Sequence, residues 1–275
     1  MAFGFFERSR SKGRKIELYL FQYGPSASSY YAFTNHTSAI TVSGKTYQPV
    51  PIKRGKIVVK GNLDKAKLEI RTSLALEIAE IFRIYPPSYV VRVTISERHL
   101  SDPDNETRMI WGGRVLAASR EGRELVMSCE PVRTSTRRMG LRRYYQRSCS
   151  HILFSTPCGA SKSAATVSAT VASISGNSVT LNPGWTSVAS RFVAGTLEWT
   201  NAKGDPEVRA IMSISGNTLT LSAIPRDITV GMTVSPVMGC PRTAEGCAAH
   251  NNILNFGGCR YIPKKNPVGT TSVFY

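Results

Sequence analysis

The sequence lacks the features that usually identify an enzyme or a membrane protein. No apolar run approaches the ~18 residues that a membrane-spanning helix requires. No GxSxG, HExxH or phosphate-binding loop occurs. The first residues, MAFGFFERSRSKGRK, place apolar side chains before charged ones, the reverse of a secretory signal peptide. We therefore expect a non-enzymatic protein with no membrane span, synthesised in a cytosol. Its histidines are scattered along the chain: His36, His99, His151 and His250.

Acidic side chains are scarce. The 275 residues include 18 Asp and Glu against 35 Lys and Arg, which gives a formal net charge of +17. A surplus of this size is typical of proteins that contact nucleic acid or acidic protein surfaces. The densest basic run is RTSTRRMGLRRYYQR at 133–147, where Tyr144 and Tyr145 are the only aromatic residues, so a stacking platform for single strands is not evident. The run predicts a solvated or protein-contacting face, or a phosphate contact, through six residues: Arg133, Arg137, Arg138, Arg142, Arg143 and Arg147.

The first half of the chain has the alternating pattern of β-strands. KIELYLFQ at 15–22 places Ile16, Leu18 and Leu20 on one face, and KLEIRTS and YVVRVTIS alternate in the same way. LALEIAEIFR at 74–83 predicts a helix that the following YPP ends. Short strands, one helix and frequent turns predict a mainly β protein with an antiparallel β-barrel or sandwich over residues 1–135.

The stretch 164–235 has a different composition. It is rich in Ser, Thr, Ala and Val, and SISGNSVTL at 173–181 returns as SISGNTLTL at 213–221. Each Gly-Asn pair between β-branched residues predicts a hairpin with a two-residue turn. Two copies are too few for a solenoid, so we interpret 164–235 as an inserted β-hairpin module of two units.

Cysteine pairs flank this module: Cys149 with Cys158 before it, and Cys240 with Cys247 after it. Disulfides are disfavoured because nothing in the sequence indicates secretion. Two close pairs on separate loops are typical of a metal site with soft ligands, yet both spacings exceed the two-residue gap of zinc fingers. An iron–sulfur cluster, zinc and plain buried thiols all remain open on spacing alone.

The remaining cysteines and the nearby histidines have weaker indications. Cys129 falls in a strand pattern, which favours a buried structural thiol. Cys259 follows a Gly-Gly pair and could compete as a ligand. His151 and His250 lie near the pairs, where a hydrogen-bonding role is more common than metal ligation.

Several segments together resemble one family of phage tail proteins. They are YPPSYVVRVTISERHLSDPD, WGGRV, CEPVRTSTRRMGLRRYYQRSCSHILFSTPCG and NFGGCRYIP. The sequence is similar to the baseplate-hub and tail-tip proteins related to minor tail protein L of phage lambda and to the hub of gene transfer agents. The resemblance covers about 15–163 and 236–263, and its most specific part runs from Arg137 to Gly159.

The resemblance implies a 4Fe–4S cluster in a small cysteine-clamped domain formed by 136–163 and 236–275. The ligands of the family fall on Cys149, Cys158, Cys240 and Cys247. Cys259 replaces a residue that is usually apolar or aromatic in the family. Zinc is the alternative metal.

The resemblance also implies a function. We expect a structural virion protein at the tail tip, made in the cytoplasm of the bacterial host, with three copies around the tail axis. Its expected partners are the distal tail protein of the tail tube and the central receptor-binding tip protein, with DNA passing through the channel. The alternative is a zinc-stabilised nucleic-acid-binding protein that uses the basic run 133–147.

Overall fold

The computed structural model describes residues 2–9, 12–24, 29–58, 67–83, 87–137, 144–202 and 204–262. The side chains of Ala2 and of residues 135–137 are not part of this description. The chain divides into two compact units, Met1–Arg138 and Met139–Tyr275. Across the described ranges, no helix combines the length and apolar character needed to cross a bilayer. Both cysteine loops and the repeated segment fall in the second unit.

The first unit is built around a nine-stranded sheet with the order β3-β4-β2-β1-β7-β8-β9-β6-β5. Its neighbouring strands pair antiparallel, except that β2 and β4 run parallel. The described elements are α1 (Ala2–Arg8), β1 (Lys15–Tyr23), β2 (Tyr30–Thr34), β3 (Ile40–Val42), β4 (Lys45–Pro49), β5 (Ile52–Arg54), β6 (Leu68–Ser73), α2 (Glu77–Ile81), β7 (Val91–His99), β8 (Thr107–Glu121) and β9 (Glu124–Pro131). A 3-10 helix, Val132–Arg137, follows β9.

Apolar side chains on both faces of β1 account for its central place in this sheet. Tyr19 and Phe21 point into the main buried cluster, where Ile70 and Met127 are also fully buried. The alternate residues Ile16 and Leu18 pack into a second, smaller cluster on the other face. The predicted common face of Ile16 and Leu18 is therefore confirmed, and the strand is covered on both sides.

The helix predicted at 74–83 is shorter in the structure, where it spans Glu77–Ile81. The Leu74 amide donates to the Arg123 carbonyl oxygen, 3.2 Å away, so the chain is still tied to the turn between β8 and β9 at this point. Ile78 and Ile81 are buried against the main cluster. The predicted helix is present, but it begins only at Glu77 because the backbone at Leu74 is hydrogen-bonded to Arg123.

The second unit contains a closed barrel with the order β10-β11-β14-β13-β12-β15. Leu181, Leu197 and Ile211 are fully buried in its interior. Its elements are β10 (Ala169–Ser175), β11 (Ser178–Leu181), β12 (Thr196–Thr200), β13 (Pro206–Ser215), β14 (Thr218–Leu221) and β15 (Thr233–Val237), with α3 (Ala244–Ala249) after the barrel and 3-10 turns at Ser163–Ala165, Ala189–Phe192 and Ile253–Asn255.

The two sequence repeats form the two predicted hairpins, β10–β11 and β13–β14. The hairpins pair with each other through β11 and β14, where Val179 lies opposite Leu219. The exchange is reciprocal: the Leu221 amide donates to the Asn177 carbonyl, and the Leu181 amide donates to the Asn217 carbonyl. The repeat therefore gives the barrel an internal two-fold pattern.

The predicted mainly β class is confirmed, with a difference in where the closed barrel lies. In the described part of the chain the closed barrel spans 169–237, and the first unit, where a barrel or sandwich was predicted, forms the nine-stranded sheet. Alternation indicates which residues share a face, but closure requires the first and last strands to pair. In the second unit they do, with Ala169 of β10 opposite Val234 of β15.

The chain enters and leaves the barrel side by side. The Val167 amide donates to the Pro236 carbonyl at 3.0 Å, and the Met238 amide donates to the Ala165 carbonyl at 2.9 Å. The segment before the barrel carries Cys149 and Cys158, and the segment after it carries Cys240 and Cys247. Residues far apart in sequence are thereby delivered to one place.

Candidate functional site

The two cysteine loops are joined through their backbones. The Cys149 amide donates to the Arg242 carbonyl oxygen at 2.9 Å, which links the first loop to the second. The side chains of Cys149, Cys158 and Cys247 are buried, and Cys240 is half-buried. All six cysteines are free thiols.

Three of the predicted ligands, Cys149, Cys158 and Cys240, lie close enough to the fourth, Cys247, to affect its pKa. Burial raises the pKa of the Cys247 thiol, and the neighbouring Cys149, Cys240 and Cys158 raise this pKa further. A neighbouring thiolate raises a pKa in this way only at short range, because it makes a second negative charge unfavourable. The structure thus brings together the four cysteines that the sequence analysis selected.

Asn252 bridges the two loops, and sequence reasoning missed it. This buried side chain donates from Nδ2 to the Cys158 carbonyl oxygen at 2.5 Å, and Nδ2 lies 3.7 Å from the Cys158 Sγ. The Cys247 Sγ donates to the Asn252 carbonyl oxygen at 2.9 Å, and Asn255 donates to the Asn252 Oδ1 at 2.7 Å. An asparagine near cysteines is too common to be a signal by itself, so only the fold reveals this role.

The short helix α3 positions Cys247. Thr243 caps its first turn, since the Thr243 side chain accepts a hydrogen bond from the Gly246 amide at 3.1 Å. The Cys247 amide donates to the Thr243 carbonyl at 3.0 Å. Just before the cap, Arg242 adopts a left-handed backbone conformation with φ of 60°. This turn reverses the chain between Cys240 and the helix.

The Gly257–Gly258 pair is needed for close approach to the first loop. A Cβ on Gly257 would lie 2.6 Å from the His151 ring, and one on Gly258 would lie 2.4 Å from the Arg147 carbonyl oxygen. The Gly257 amide donates to the Cys149 Sγ at 3.4 Å. The next residue, Cys259, donates its amide to the Gln146 carbonyl at 2.8 Å. The closing NFGGC segment therefore packs directly on the first cysteine loop.

The two nearby histidines pack beside the loops. The His250 Nε2 forms a hydrogen bond with the Gly239 carbonyl at 2.9 Å, and its ring meets Phe154 edge-on with centroids 6.0 Å apart. The prediction that His250 is a hydrogen-bonding partner is confirmed. His151 packs its ring against the Gly257 backbone.

Cys129 belongs to the first unit, where it lies in β9. It is fully buried in the main cluster, and burial raises the pKa of Cys129 to about 12. Such a thiol stays protonated at neutral pH. The prediction of a buried structural thiol is confirmed for this residue.

The donor set of the site consists of thiols. Among the described residues, no group of three or more His, Cys, Asp or Glu side chains is arranged to hold a single metal ion. Thiols are the soft ligands that iron–sulfur clusters and zinc take, and N–H groups are directed at two of the sulfurs, from Asn252 to Cys158 and from Gly257 to Cys149. Thiols do not fit the oxygen-ligand chemistry of magnesium or calcium.

The basic run 133–147 is only partly described. Arg133 is exposed in the 3-10 helix after β9, and Arg137 ends that helix. Arg138, Arg142 and Arg143 lie outside the described residues, so their predicted role stays a prediction. Arg147 is exposed and lines a cavity of about 470 Å³ together with Arg242 and Arg260. Arg242 and Arg260 were not predicted from the sequence.

Two family models match the chain. The model described as baseplate hub protein, N-terminal attachment domain, matches residues 21–161. A second, described as phage conserved hypothetical protein BR0599, matches residues 190–266. The first therefore includes the first cysteine loop, and the second includes Cys240, Cys247 and the NFGGC segment.

Individual proteins are also similar to the chain. An uncharacterized protein of Xylella fastidiosa (strain 9a5c) is 36% identical over 107 residues, which are 38% of this chain and 22% of that protein. The matched part of this chain thus spans about a fifth of the length of that relative. A chain in the virion of the native gene transfer agent (GTA) particle has the same fold, with a TM-score of 0.76 at 18% identity over 96% of this chain and 93% of that one. Because the hub model covers just over half of the sequence, the chain belongs to the phage baseplate hub protein family.

Proposed function

We propose that this hub protein joins the tail tube to the tip and that its two cysteine loops hold a 4Fe–4S cluster. One observation carries the cluster assignment: Cys149 and Cys158, which precede the barrel in sequence, lie close to Cys240 and Cys247, which follow it. When bound, the cluster supplies a covalent cross-link in which each iron takes one thiolate. Zinc is the alternative occupant of the same thiols.

The need for a cross-link follows from how little apolar surface the loops bury. The three buried apolar clusters of the described residues lie in the sheet and the barrel, and none contains a cysteine of the site. Leu254, next to the site, is 97% exposed. Loops without an apolar core gain their stability from metal–thiolate bonds. The role we propose for the cluster is therefore structural.

The residues around the thiols have separate tasks in this proposal. Asn252 holds the Cys158 loop to the segment after α3. The Gly257 amide donates to the Cys149 sulfur, which stabilises negative charge on that atom. The burial of three of the four thiols keeps water away from them.

The structural role also accounts for the charge of the protein. We propose three copies around the tail axis, contacting the distal tail protein on one side and the central receptor-binding tip protein on the other. The net charge of +17 suits both a channel for DNA and acidic neighbours in the tube.

Phage tail assembly tests this proposal. Cys158→Ser and Cys240→Ser each remove one iron ligand from a different loop, so each variant should lose its metal and yield insoluble protein or defective tails. Cys259→Ala serves as the matched control and should assemble normally. Normal tails with full iron content from the Cys158 and Cys240 variants would refute the ligand assignment.

A further inference from the structure

A cavity of about 470 Å³ lies beside the cysteine site, and three arginines line it. Each comes from a different segment: Arg147 precedes the first loop, Arg242 lies within the second, and Arg260 follows the Gly-Gly pair. Phe256 and Tyr261 contribute aromatic walls, and Tyr261 is 90% exposed. The cavity is thus basic and aromatic at once.

The charge in this cavity is unbalanced. Glu245 is the one acidic residue in its lining. Within the described part of the chain, no ion pair joins Arg147, Arg242 or Arg260 to a carboxylate. The cavity therefore carries a net positive charge of about two that a ligand can neutralise.

The composition indicates a protein ligand. Arginine and aromatic residues are enriched in the centres of protein interfaces, whereas lysine is depleted, and the lining contains no lysine. A guanidinium binds a carboxylate through two parallel hydrogen bonds, and an aromatic wall accepts an apolar side chain. A DNA duplex instead presents phosphates along a convex rod and needs an extended basic surface. A concave site of this volume accommodates a few side chains.

We propose that this cavity binds an acidic peptide segment of a neighbouring tail protein, with its carboxylates on the three arginines and an apolar side chain against Phe256 and Tyr261. The inference rests on the proposed hub role, because that role supplies the partner. It adds the place and the chemistry of the contact.

The same three segments also close the cysteine site. The Arg242 carbonyl accepts a hydrogen bond from the Cys149 amide. The Arg147 carbonyl packs so closely on Gly258 that a Cβ there would clash with it. A peptide that bridges the arginines would therefore fix the segments that hold the thiols. Docking in the tail and stability of the cysteine site are coupled in this view.

Fluorescence anisotropy with a labelled peptide, Glu-Glu-Leu-Glu-Glu-Phe, tests the proposal on the full chain. Wild type should bind, and Arg147→Glu and Arg260→Glu should each weaken binding by about tenfold or more, since a charge-assisted hydrogen bond contributes about 1.5–3 kcal/mol. Arg123→Glu makes the same charge change in an exposed turn of the first unit and should bind as wild type does. The Gln-Gln-Leu-Gln-Gln-Phe peptide should bind at least tenfold more weakly.

Four results would overturn the inference. The first three are no peptide binding, equal weakening by Arg123→Glu, and equal binding of the glutamine peptide. The fourth is that the protein binds a 20-base-pair DNA duplex instead of the peptide and that the cavity variants abolish this duplex binding. Iron and sulfide analysis of the same samples separates this inference from the cluster assignment. Peptide binding by protein without iron would leave the cavity assigned and the cluster refuted. Full iron content without peptide binding would support the cluster assignment and refute the peptide-binding cavity.

Discussion

At the residue scale, the six thiols differ in their surroundings, and these differences decide their chemistry. Cys129 is sealed in a β-sheet core, where its raised pKa keeps it protonated. Cys149, Cys158, Cys240 and Cys247 share one locality. Cys259 lies on the adjacent segment with its amide bound to Gln146. In the cluster that we propose, position relative to the shared site, rather than exposure alone, selects the four ligands.

The first prediction compares two neighbouring cysteines. Cys247→Ala should lose the cluster, because one iron is left without a thiolate, whereas Cys259→Ala should keep full iron content and near-normal thermal stability. Iron content and melting temperature of the purified variants provide the comparison. Loss of iron from Cys259→Ala together with retention in Cys247→Ala would assign the second loop to Cys240 and Cys259 instead.

The second prediction concerns Asn252. Asn252→Asp replaces the Nδ2 donor with a buried carboxylate beside the thiols, so iron content should fall and unfolding should become easier by about 1–3 kcal/mol. Asn251→Gly is the matched control, since residue 251 is exposed and has a φ of 52°, a conformation that glycine adopts freely. Equal behaviour of the two variants in denaturant titration would show that Asn252 does not bridge the loops.

At the element scale, the Gly257–Gly258 segment and the barrel hairpins show two different uses of glycine. Gly176 turns a hairpin at a φ of 58° with open space around its Cα. Gly258 does not have a positive φ, but a Cβ at this position would lie 2.4 Å from the Arg147 carbonyl oxygen. The first use is conformational and the second is steric.

The third prediction separates these uses. Gly258→Ala should destabilise the second unit by about 1–3 kcal/mol, because backbone rather than a flexible side chain must move. Gly176→Asn should cost less, since asparagine tolerates positive φ and a Cβ at this position meets nothing within 4 Å. Chemical denaturation of both variants measures the difference. A larger loss for Gly176→Asn would contradict the packing of NFGGC on the first loop.

The sequence predicted elements with strong local patterns and missed those made by distant contacts. The Gly-Asn turns of the repeats and the paired cysteines have recognisable spacing, and both were located in advance. Asn252, Arg242 and Arg260 have no local signal, since their roles depend on segments that the barrel brings together. The closure of the barrel at 169–237 was likewise not predicted, because the pairing of first and last strands is not encoded in alternation.

At the scale of the whole molecule, the barrel separates the cysteine pairs in sequence while keeping them adjacent in space. Its entry and exit strands are hydrogen-bonded to each other at Val167 and Pro236. The barrel also contacts the second loop, since the Gly239 amide donates to the Arg191 carbonyl at 2.9 Å and the Arg191 guanidinium donates to the Ala249 carbonyl. We propose that 164–235 is an insertion that supports the site without supplying ligands.

The fourth prediction tests this insertion. Replacing 168–235 by a short Gly/Ser bridge should leave a protein that still binds iron, because the two ends already lie side by side. The melting temperature should drop, because the Arg191 contacts are lost. Arg191→Ala in the intact chain is the control for that part of the loss. Absence of iron after excision would show that the barrel is integral to the site.

The most direct test of the central claim is metal and sulfide analysis of the wild-type protein purified without oxygen. The account predicts about four iron atoms and about four acid-labile sulfide ions per chain, with a brown colour and absorbance at about 400 nm. One zinc per chain in a colourless protein, or no metal with four reactive thiols, would contradict it.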